Sequence, residues 1–291
     1  METTEKNKIR EALESYCARY ESQNQAARSL NGVSAATITQ IMQGNYDTIS
    51  DKMWRNIASQ IGTGNAEWVF VETEPYKMLT ELLKNAQEYS NVFAACGEAG
   101  TGKSYTLWRY AKEHKRVYLL RCSKLWDQKI FTQELFRSLG RDSCGRSVGR
   151  MIGEAVRFIK TQEHPLILLD EADKLQDKVM QIFITLYNEL EEHCGIVLCA
   201  TDHLKQRIKR GVELNKEGYK EIYSRIGRKF IELDSVTSTD IASICLTNGI
   251  GNRQSIKTVI EESKWDLRRV KRKIHALKQS LKTLEEPSEL Y

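Results

Sequence analysis

Residues 92–104 read V-F-A-A-C-G-E-A-G-T-G-K-S, and this stretch decides the fold. Its last eight residues match the pattern G-x-x-x-x-G-K-[ST], between an apolar run typical of a strand and a segment, 103–114, with a helical pattern. Glycines in such a loop let backbone N–H groups surround phosphates, and the helix N-terminus adds the positive end of its dipole. The predicted ATP-binding residues are Gly97, Glu98, Ala99, Gly100, Thr101, Gly102, Lys103 and Ser104. We expect Lys103 to reach the β- and γ-phosphates and the Ser104 hydroxyl to hold Mg²⁺.

A second apolar run ends in two carboxylates. Residues 166–175 read L-I-L-L-D-E-A-D-K-L, so Asp170 and Glu171 close a predicted buried strand. Asp170 is expected to bind the nucleotide and hold the Mg²⁺ shell, and Glu171 to position or deprotonate the attacking water, which favours hydrolysis over transfer. Alternatively, the two residues only cap the next helix at its N-terminus. Thr201 ends the following strand. Its hydroxyl either orients the same water or is a strand-end hydroxyl without a catalytic role.

The segments around these motifs alternate between strands and helices. Near-continuous apolar strands separated by helices are typical of a parallel sheet that is covered on both faces. The predicted strands are 92–96, 117–121, 166–170, 196–200 and 230–233. The predicted helices between them are 103–114, 127–139, 147–162 and 176–193.

Helical segments flank this α/β region on both sides. The predicted fold is therefore an α/β P-loop core with a parallel sheet, preceded by an all-α helix-turn-helix domain and followed by a helical lid. The predicted parts are a lambda-repressor-like helix-turn-helix domain at 1–62, a linker at 63–73, the core at 74–235, the lid at 236–284 and a tail at 285–291. The lid's last helix is basic and could face phosphates, an acidic partner or only solvent.

Composition limits the choice of partners and compartment. The chain has 291 residues and a formal charge of +5, which permits a polyanionic partner without requiring one. Its sequence contains no apolar run of the roughly 20 residues that span a bilayer, and its first residues do not resemble a secretion signal. The seven cysteines show neither a C-x-x-C pair nor zinc spacing, and Cys96, Cys194 and Cys199 fall in apolar runs. We therefore expect a reduced, cytoplasmic protein with no membrane partner.

Residues 25–40 have the pattern of a helix-turn-helix, with Ser34 as N-cap of the second helix. Ser34, Thr37, Thr39 and Gln40 would then face DNA. Small polar side chains without an arginine predict contact with little sequence preference. A helical bundle that binds protein is the alternative, because few basic residues lie nearby.

The P-loop, the D-E-A-D motif at 170–173, the polar strand end and the helical lid together resemble the AAA+ superfamily. The resemblance implies an arginine supplied across a subunit interface, for which Arg225 is the first candidate and Arg228 the second. It also implies a lid arginine that reaches the nucleotide of its own subunit, which Arg268 matches. In this sequence Trp265-Asp266-Leu267 replaces the small residues that usually precede that arginine.

The N-terminal helices, F-V-E-T at 70–73 and the spacing of the two motifs resemble the phage Mu B family of transposition proteins and the related TnsC, TniB and IstB regulators. This resemblance implies a DNA-stimulated AAA+ ATPase of a mobile element in the bacterial cytoplasm. Such a protein forms an ATP-dependent homo-oligomer, a ring or helical filament, on double-stranded DNA. It delivers that target DNA to a DDE transposase and stimulates transposition.

In such an assembly, loops of the core would face a central duplex. The candidate phosphate contacts are Arg121, Lys124, Arg146 and Arg150, any of which could equally be an ordinary solvated charge. Two other functions use the same core: a helicase loader or replication initiator, and a non-catalytic, nucleotide-gated adaptor. A small-molecule kinase is the least favoured function, because such a kinase usually needs a substrate-binding lid inside the α/β core, whereas the lid predicted here follows the core.

Overall fold

The computed structural model of the chain describes residues 1–61 and 68–285, with side chains described through residue 280. Residue 62, where the predicted helix-turn-helix domain ends, residues 63–67 of the predicted linker and residues 286–291 of the predicted tail lie outside the described residues.

Four helices form the N-terminal part: α1 (Thr3–Cys17), α2 (Gln23–Ser29), α3 (Ala35–Met42) and α4 (Asp51–Ile61). The predicted N-cap of α3 is confirmed, since the Ser34 side chain accepts a hydrogen bond from the Thr37 amide at 3.0 Å. The helices share one apolar core, in which Ile38, Trp54 and Ile57 are fully buried.

The central part is a parallel sheet of β1 (Val92–Cys96), β2 (Val117–Arg121), β3 (Leu166–Asp170), β4 (Gly195–Ala200) and β5 (Ile231–Glu232). The strand order is β2-β3-β4-β1-β5, so β4 lies between the strand that precedes the P-loop and the strand that ends in Asp170. The carboxyl ends of parallel strands meet at one edge, which brings the P-loop, Thr201 and Asp170 together. The predicted fold class is confirmed.

Seven helices cover the sheet. They are α5 (Glu74–Tyr89), α6 (Lys103–Glu113), α7 (Gln128–Ser138), α8 (Val148–Lys160), α9 (Asp177–Leu190), α10 (Asp202–Glu213) and α11 (Tyr219–Arg225). Helices α5 and α6 pack on one face, while α7 to α11 pack on the other, each group with its own apolar cluster. The buried cysteines Cys96, Cys194 and Cys199 lie in these clusters as predicted.

The last part consists of α12 (Ser238–Thr247), α13 (Arg253–Ser263) and α14 (Leu267–Glu285) around a fourth apolar cluster. Trp68 and Val71 pack against that cluster, and Asn248 forms hydrogen bonds with both the N–H and the C=O of Val69, at 3.0 and 2.9 Å. The described end of the predicted linker is therefore attached to the lid. None of the helices in the described ranges is long and apolar enough to cross a membrane.

Candidate nucleotide site

The P-loop connects β1 to α6 and has the backbone form that its glycines allow. Gly100 and Gly102 have φ of 88° and 95°, a region that L side chains rarely adopt. The Lys103 ammonium donates to the Gly97 carbonyl at 2.7 Å and also to the Glu98 carbonyl. Burial lowers the pKa of Lys103. The lysine therefore lies inside the loop, at the position from which it can exchange carbonyl partners for phosphate oxygens.

Asp170 lies opposite the P-loop and is 3% exposed. Burial raises the pKa of Asp170, while a hydrogen bond from Ser104 lowers it. Arg121 pairs with Asp170 in the register of β2 and β3, and its Nε lies 3.9 Å from Asp170 Oδ2. The two predicted Mg²⁺ ligands, Ser104 and Asp170, are thus brought together, and a divalent cation would offset the cost of burying the carboxylate.

Glu171 follows Asp170 with a left-handed backbone, φ 57° and ψ 40°. Its carboxylate is half-buried and forms an ion pair with Lys174 at 2.6 Å. A non-glycine residue in this region is strained by about 1 kcal/mol or more, and such strain concentrates at functional sites. The residue cannot serve as a side-chain N-cap of α9, because six positions separate it from the start of that helix at Asp177.

Thr201 lies at the end of β4, between the P-loop and Asp170. Its hydroxyl oxygen is buried and has no hydrogen-bond partner among the described residues. A buried hydroxyl without a partner costs about 1–3 kcal/mol, so this atom is a candidate for contact with a ligand or a bound water.

These side chains line one cavity of about 750 Å³. The volume falls within the range of roughly 300–1,000 Å³ that small-molecule and cofactor sites occupy. The glycine turns, the half-buried lysine and the unpaired threonine hydroxyl fit a nucleoside triphosphate with its Mg²⁺.

Lid residues close one side of this cavity. The Leu267 amide donates to the Gly100 carbonyl at 2.9 Å, so the first residue of α14 is hydrogen-bonded to the P-loop. Asp266 packs so closely that its Cγ would lie 2.5 Å from a Cβ added at Gly100. Arg268 lines the cavity, where the resemblance predicts a lid arginine.

An aromatic wall that the sequence alone did not reveal completes the cavity. Trp68, Phe70 and Tyr76 line it beside the P-loop. The Phe70 ring lies 4.8 Å from the Tyr76 ring and 5.4 Å from the Tyr105 ring, measured between centroids. Phe70 stands in the F-V-E-T motif, and its place just before the first helix of the core was the available signal. Such a wall provides apolar surface for a nucleotide base.

Arg225 and Arg228 lie at the other end of the sheet. Arg225 lines a second cavity at the amino-terminal ends of β1, β4 and β5, and its guanidinium stacks 4.8 Å from the Tyr187 ring. The Arg225 Nε is buried without a partner among the described residues. Neither arginine can therefore reach the nucleotide cavity of its own chain, and a role across a subunit interface stays a prediction.

The four predicted DNA-facing residues of α3 form hydrogen bonds within the N-terminal part. The hydroxyls of Ser34 and Thr37 lie 2.9 Å apart in the cap, and Thr39 donates to Gln23 at 3.0 Å. Gln40 accepts a weak hydrogen bond from Thr48. These side chains support the helix, and their contact with DNA stays a prediction.

The four basic residues predicted as DNA contacts in the core differ in their surroundings. Arg121 lies beside Asp170 and lines the nucleotide cavity, a position that favours nucleotide over DNA. Arg146 and Arg150 share the carboxylate of Glu154, at 3.1 and 2.9 Å. Only Lys124 lies in an exposed loop beside an exposed apolar side chain, Leu125.

The strand order, the P-loop, the acidic end of β3 and the helical lid are those of an AAA+ P-loop fold. A family model described as an AAA domain matches residues 86–208. The chain is 27% identical over 160 residues to the Mu-like prophage FluMu DNA transposition protein B of Haemophilus influenzae. This match covers 55% of the chain and 54% of that protein, so it spans about half the length of the relative. The predicted resemblance to Mu B-like AAA+ proteins is confirmed.

Two solved structures share the fold. The ORC1 protein of Aeropyrum pernix, solved in complex with DNA, has a TM-score of 0.50 at 17% identity, over 69% of this chain and 58% of that chain. The AMPPCP-bound DnaA of Aquifex aeolicus has a TM-score of 0.50 at 22% identity, over 74% of this chain and 66% of that chain. At these identities the likeness is one of fold.

Proposed function

We propose that the chain is a DNA-stimulated AAA+ ATPase that assembles on double-stranded DNA in the bacterial cytoplasm and delivers this target DNA to a DDE transposase. The observation that carries the hydrolytic part is the meeting of Lys103, Ser104, Asp170, Glu171 and Thr201 at one cavity. The similarity to a DNA transposition protein B supports the part that concerns DNA and transposition.

The roles of the residues follow from their positions. When bound, Mg²⁺-ATP supplies the scissile phosphoanhydride and the charge of the metal. Ser104 and Asp170 hold the metal, and Lys103 leaves the Gly97 carbonyl to bind phosphate oxygens. Glu171 leaves Lys174 to accept a proton from the attacking water, which Thr201 orients. Because Arg225 lines a different cavity, at the amino-terminal ends of the strands, it would act on the nucleotide of a second copy of the chain.

Glu171→Gln tests the proposed hydrolysis. We expect ATP turnover to fall on the order of 100-fold or more, because the general base is lost, while ATP binding is retained. The variant should remain on DNA in its ATP-bound form. Turnover and function that survive this substitution would favour the nucleotide-gated adaptor instead.

Electron microscopy with ATP and linear duplex DNA tests the assembly. We expect rings or filaments on DNA of any sequence, and monomers alone would contradict the proposal. A footprint confined to particular sequences would instead favour a replication initiator. Strand transfer assayed with a DDE transposase, with and without this chain, tests target delivery.

A further inference from the structure

The turn after β3 carries Glu171 and has few regular hydrogen bonds of its own. After the left-handed Glu171, the chain forms a single 3-10 turn at Ala172–Lys174 and becomes extended at Leu175. Within it, the Lys174 amide donates to the Glu171 carbonyl at 2.9 Å, and the Leu175 amide to the Ala172 carbonyl at 3.2 Å. The direction of the Glu171 side chain depends on this turn.

Arg207, on the neighbouring helix α10, binds the carbonyls that follow. Its Nη1 donates to the Asp173 carbonyl at 3.1 Å and also to the Leu175 carbonyl. One guanidinium nitrogen therefore binds the carbonyls of the two residues that flank Lys174. A planar guanidinium suits this task, because its donors have a fixed geometry.

Arg207 is itself held by two side chains. Its Nε donates to the Tyr219 hydroxyl at 2.9 Å, and its Nη2 lies 2.5 Å from Asp177 Oδ1. The Tyr219 hydroxyl donates to the same carboxylate oxygen at 2.7 Å. The Tyr219 ring packs on the α10 backbone, since a Cβ added at Gly211 would lie 2.2 Å from it. The arginine therefore has little freedom to leave the turn.

We propose that Arg207 is a positioning residue for Glu171, holding the 171–175 turn in the form that directs the carboxylate toward the nucleotide cavity. This inference rests on the proposed ATP hydrolysis. A purely structural arginine would stabilise α9, α10 and α11 without changing the rate of the chemical step. A positioning arginine affects turnover more than ATP binding, because a displacement of about 1 Å can cost on the order of 100-fold in rate.

Arg207→Lys tests the proposal in the full chain. Lysine keeps the charge but cannot reach two carbonyls, a phenol and a carboxylate at once. We expect kcat for ATP to fall about tenfold or more, with KM and the stoichiometry of ATP binding unchanged. Arg210→Lys is the matched control, since Arg210 is exposed one turn further along α10. Tyr219→Phe should also lower kcat, but by less than Arg207→Lys does, because it keeps the ring and removes only the hydroxyl.

Amide hydrogen exchange without nucleotide gives a readout independent of turnover. The amides of Lys174 and Leu175 should exchange faster in the Arg207→Lys chain than in the wild type, and at the wild-type rate in the control. If the Arg207→Lys chain had the kcat and the amide exchange rates of the wild type, the inference about Arg207 would be overturned and the proposed function would stay intact. A wild-type chain without ATP turnover would refute the proposed function itself.

Discussion

Individual residues of the P-loop are constrained by their neighbours as well as by the ligand they are expected to bind. Gly100 combines a φ of 88° with a close contact to Asp266, and its carbonyl accepts a hydrogen bond from the start of the lid. The motif pattern leaves this position open, since it requires only the first and the sixth residue of the loop to be glycine. The lid packing explains why glycine is needed here.

Gly100→Ala should therefore weaken ATP binding. The strained backbone and the collision with Asp266 together cost about 1–3 kcal/mol, and 1.4 kcal/mol corresponds to a tenfold change in affinity. We expect the Kd of a fluorescent ATP analogue to rise on the order of tenfold. Gly149→Ala is the control, because a Cβ at this helical position meets nothing within 4 Å. Equal affinity in both variants would show that the lid contact does not constrain the loop.

The seven cysteines differ strongly in exposure, which predicts their reactivity. Cys144 is exposed, whereas burial raises the pKa of both Cys17 and Cys96 to about 11. Since the thiolate is the reactive form, the half-buried Cys17 and the buried Cys96 stay protonated and react slowly at neutral pH. We expect a disulfide reagent to find one fast-reacting thiol in the native protein, lost in Cys144→Ser. Several fast thiols in the native chain would contradict this packing.

At the scale of the elements, strands were easier to predict than helices. The predicted strands 92–96, 117–121 and 166–170 match the structure, because each is a short apolar run covered on both faces. The last predicted strand is shorter than expected, since only Ile231–Glu232 pairs with β1. Helices α5, α10 and α11 were not predicted; α10 is highly charged and buries only one narrow stripe.

The two main motifs of the candidate site were predictable because the residues of each are adjacent in sequence. The P-loop needs eight consecutive residues, and Asp170 and Glu171 are neighbours. The aromatic wall and Arg207 could not be predicted from the sequence, because only tertiary contacts bring them close to the site. Arg207 follows Glu171 by 36 positions, and no local pattern connects the two residues.

The segment at 68–73 joins the lid to the core, and Asn248 of the lid forms hydrogen bonds with its backbone at Val69. Asn248 is 2% exposed, and its amide also donates to the Ile244 carbonyl at 2.9 Å. Asn248→Ala removes the partners of Val69, which should lower the free energy of unfolding by about 1–3 kcal/mol. Nucleotide binding should weaken as well, since Trp68 and Phe70 line the cavity. Thermal or urea unfolding measures the effect, with the exposed Thr247→Ala as control. A stability equal to that of the control would mean that the Asn248 hydrogen bonds do not stabilise the attachment of this segment to the lid.

At the scale of the whole molecule, the N-terminal helices pack on the core beside the nucleotide cavity. Ala58 and Ser59 of α4 line that cavity. On the other side of the interface, a Cβ added at Gly140 would lie 2.9 Å from the Gln25 carbonyl oxygen. The contact therefore involves residues of both α2 and α4. The N-terminal helices, which are the candidates for contact with DNA or a protein partner, therefore lie next to the candidate nucleotide site.

Arg19 makes the most specific contact of this interface. Its Nη1 donates to the Ala111 carbonyl at 3.0 Å, in the last turn of α6, and its guanidinium stacks 4.0 Å from the Tyr16 ring. A cation at this end of α6 also complements the helix dipole, whose other end lies at the P-loop. Arg19→Ala removes both effects at the interface and leaves the core of the N-terminal helices in place.

We expect Arg19→Ala to separate the N-terminal helices from the core, seen as a larger radius of gyration in small-angle X-ray scattering. Arg28→Ala is the control, since Arg28 is exposed on α2. Circular dichroism should show the same helix content in both variants, because the buried residues of the helices are unchanged. If Arg19→Ala scatters like the wild type, the remaining contacts, such as that between Gln25 and Gly140, hold the interface without the arginine. If it separates, the same variant can be titrated with ATP, and weaker binding is expected because Ala58 and Ser59 leave the cavity wall.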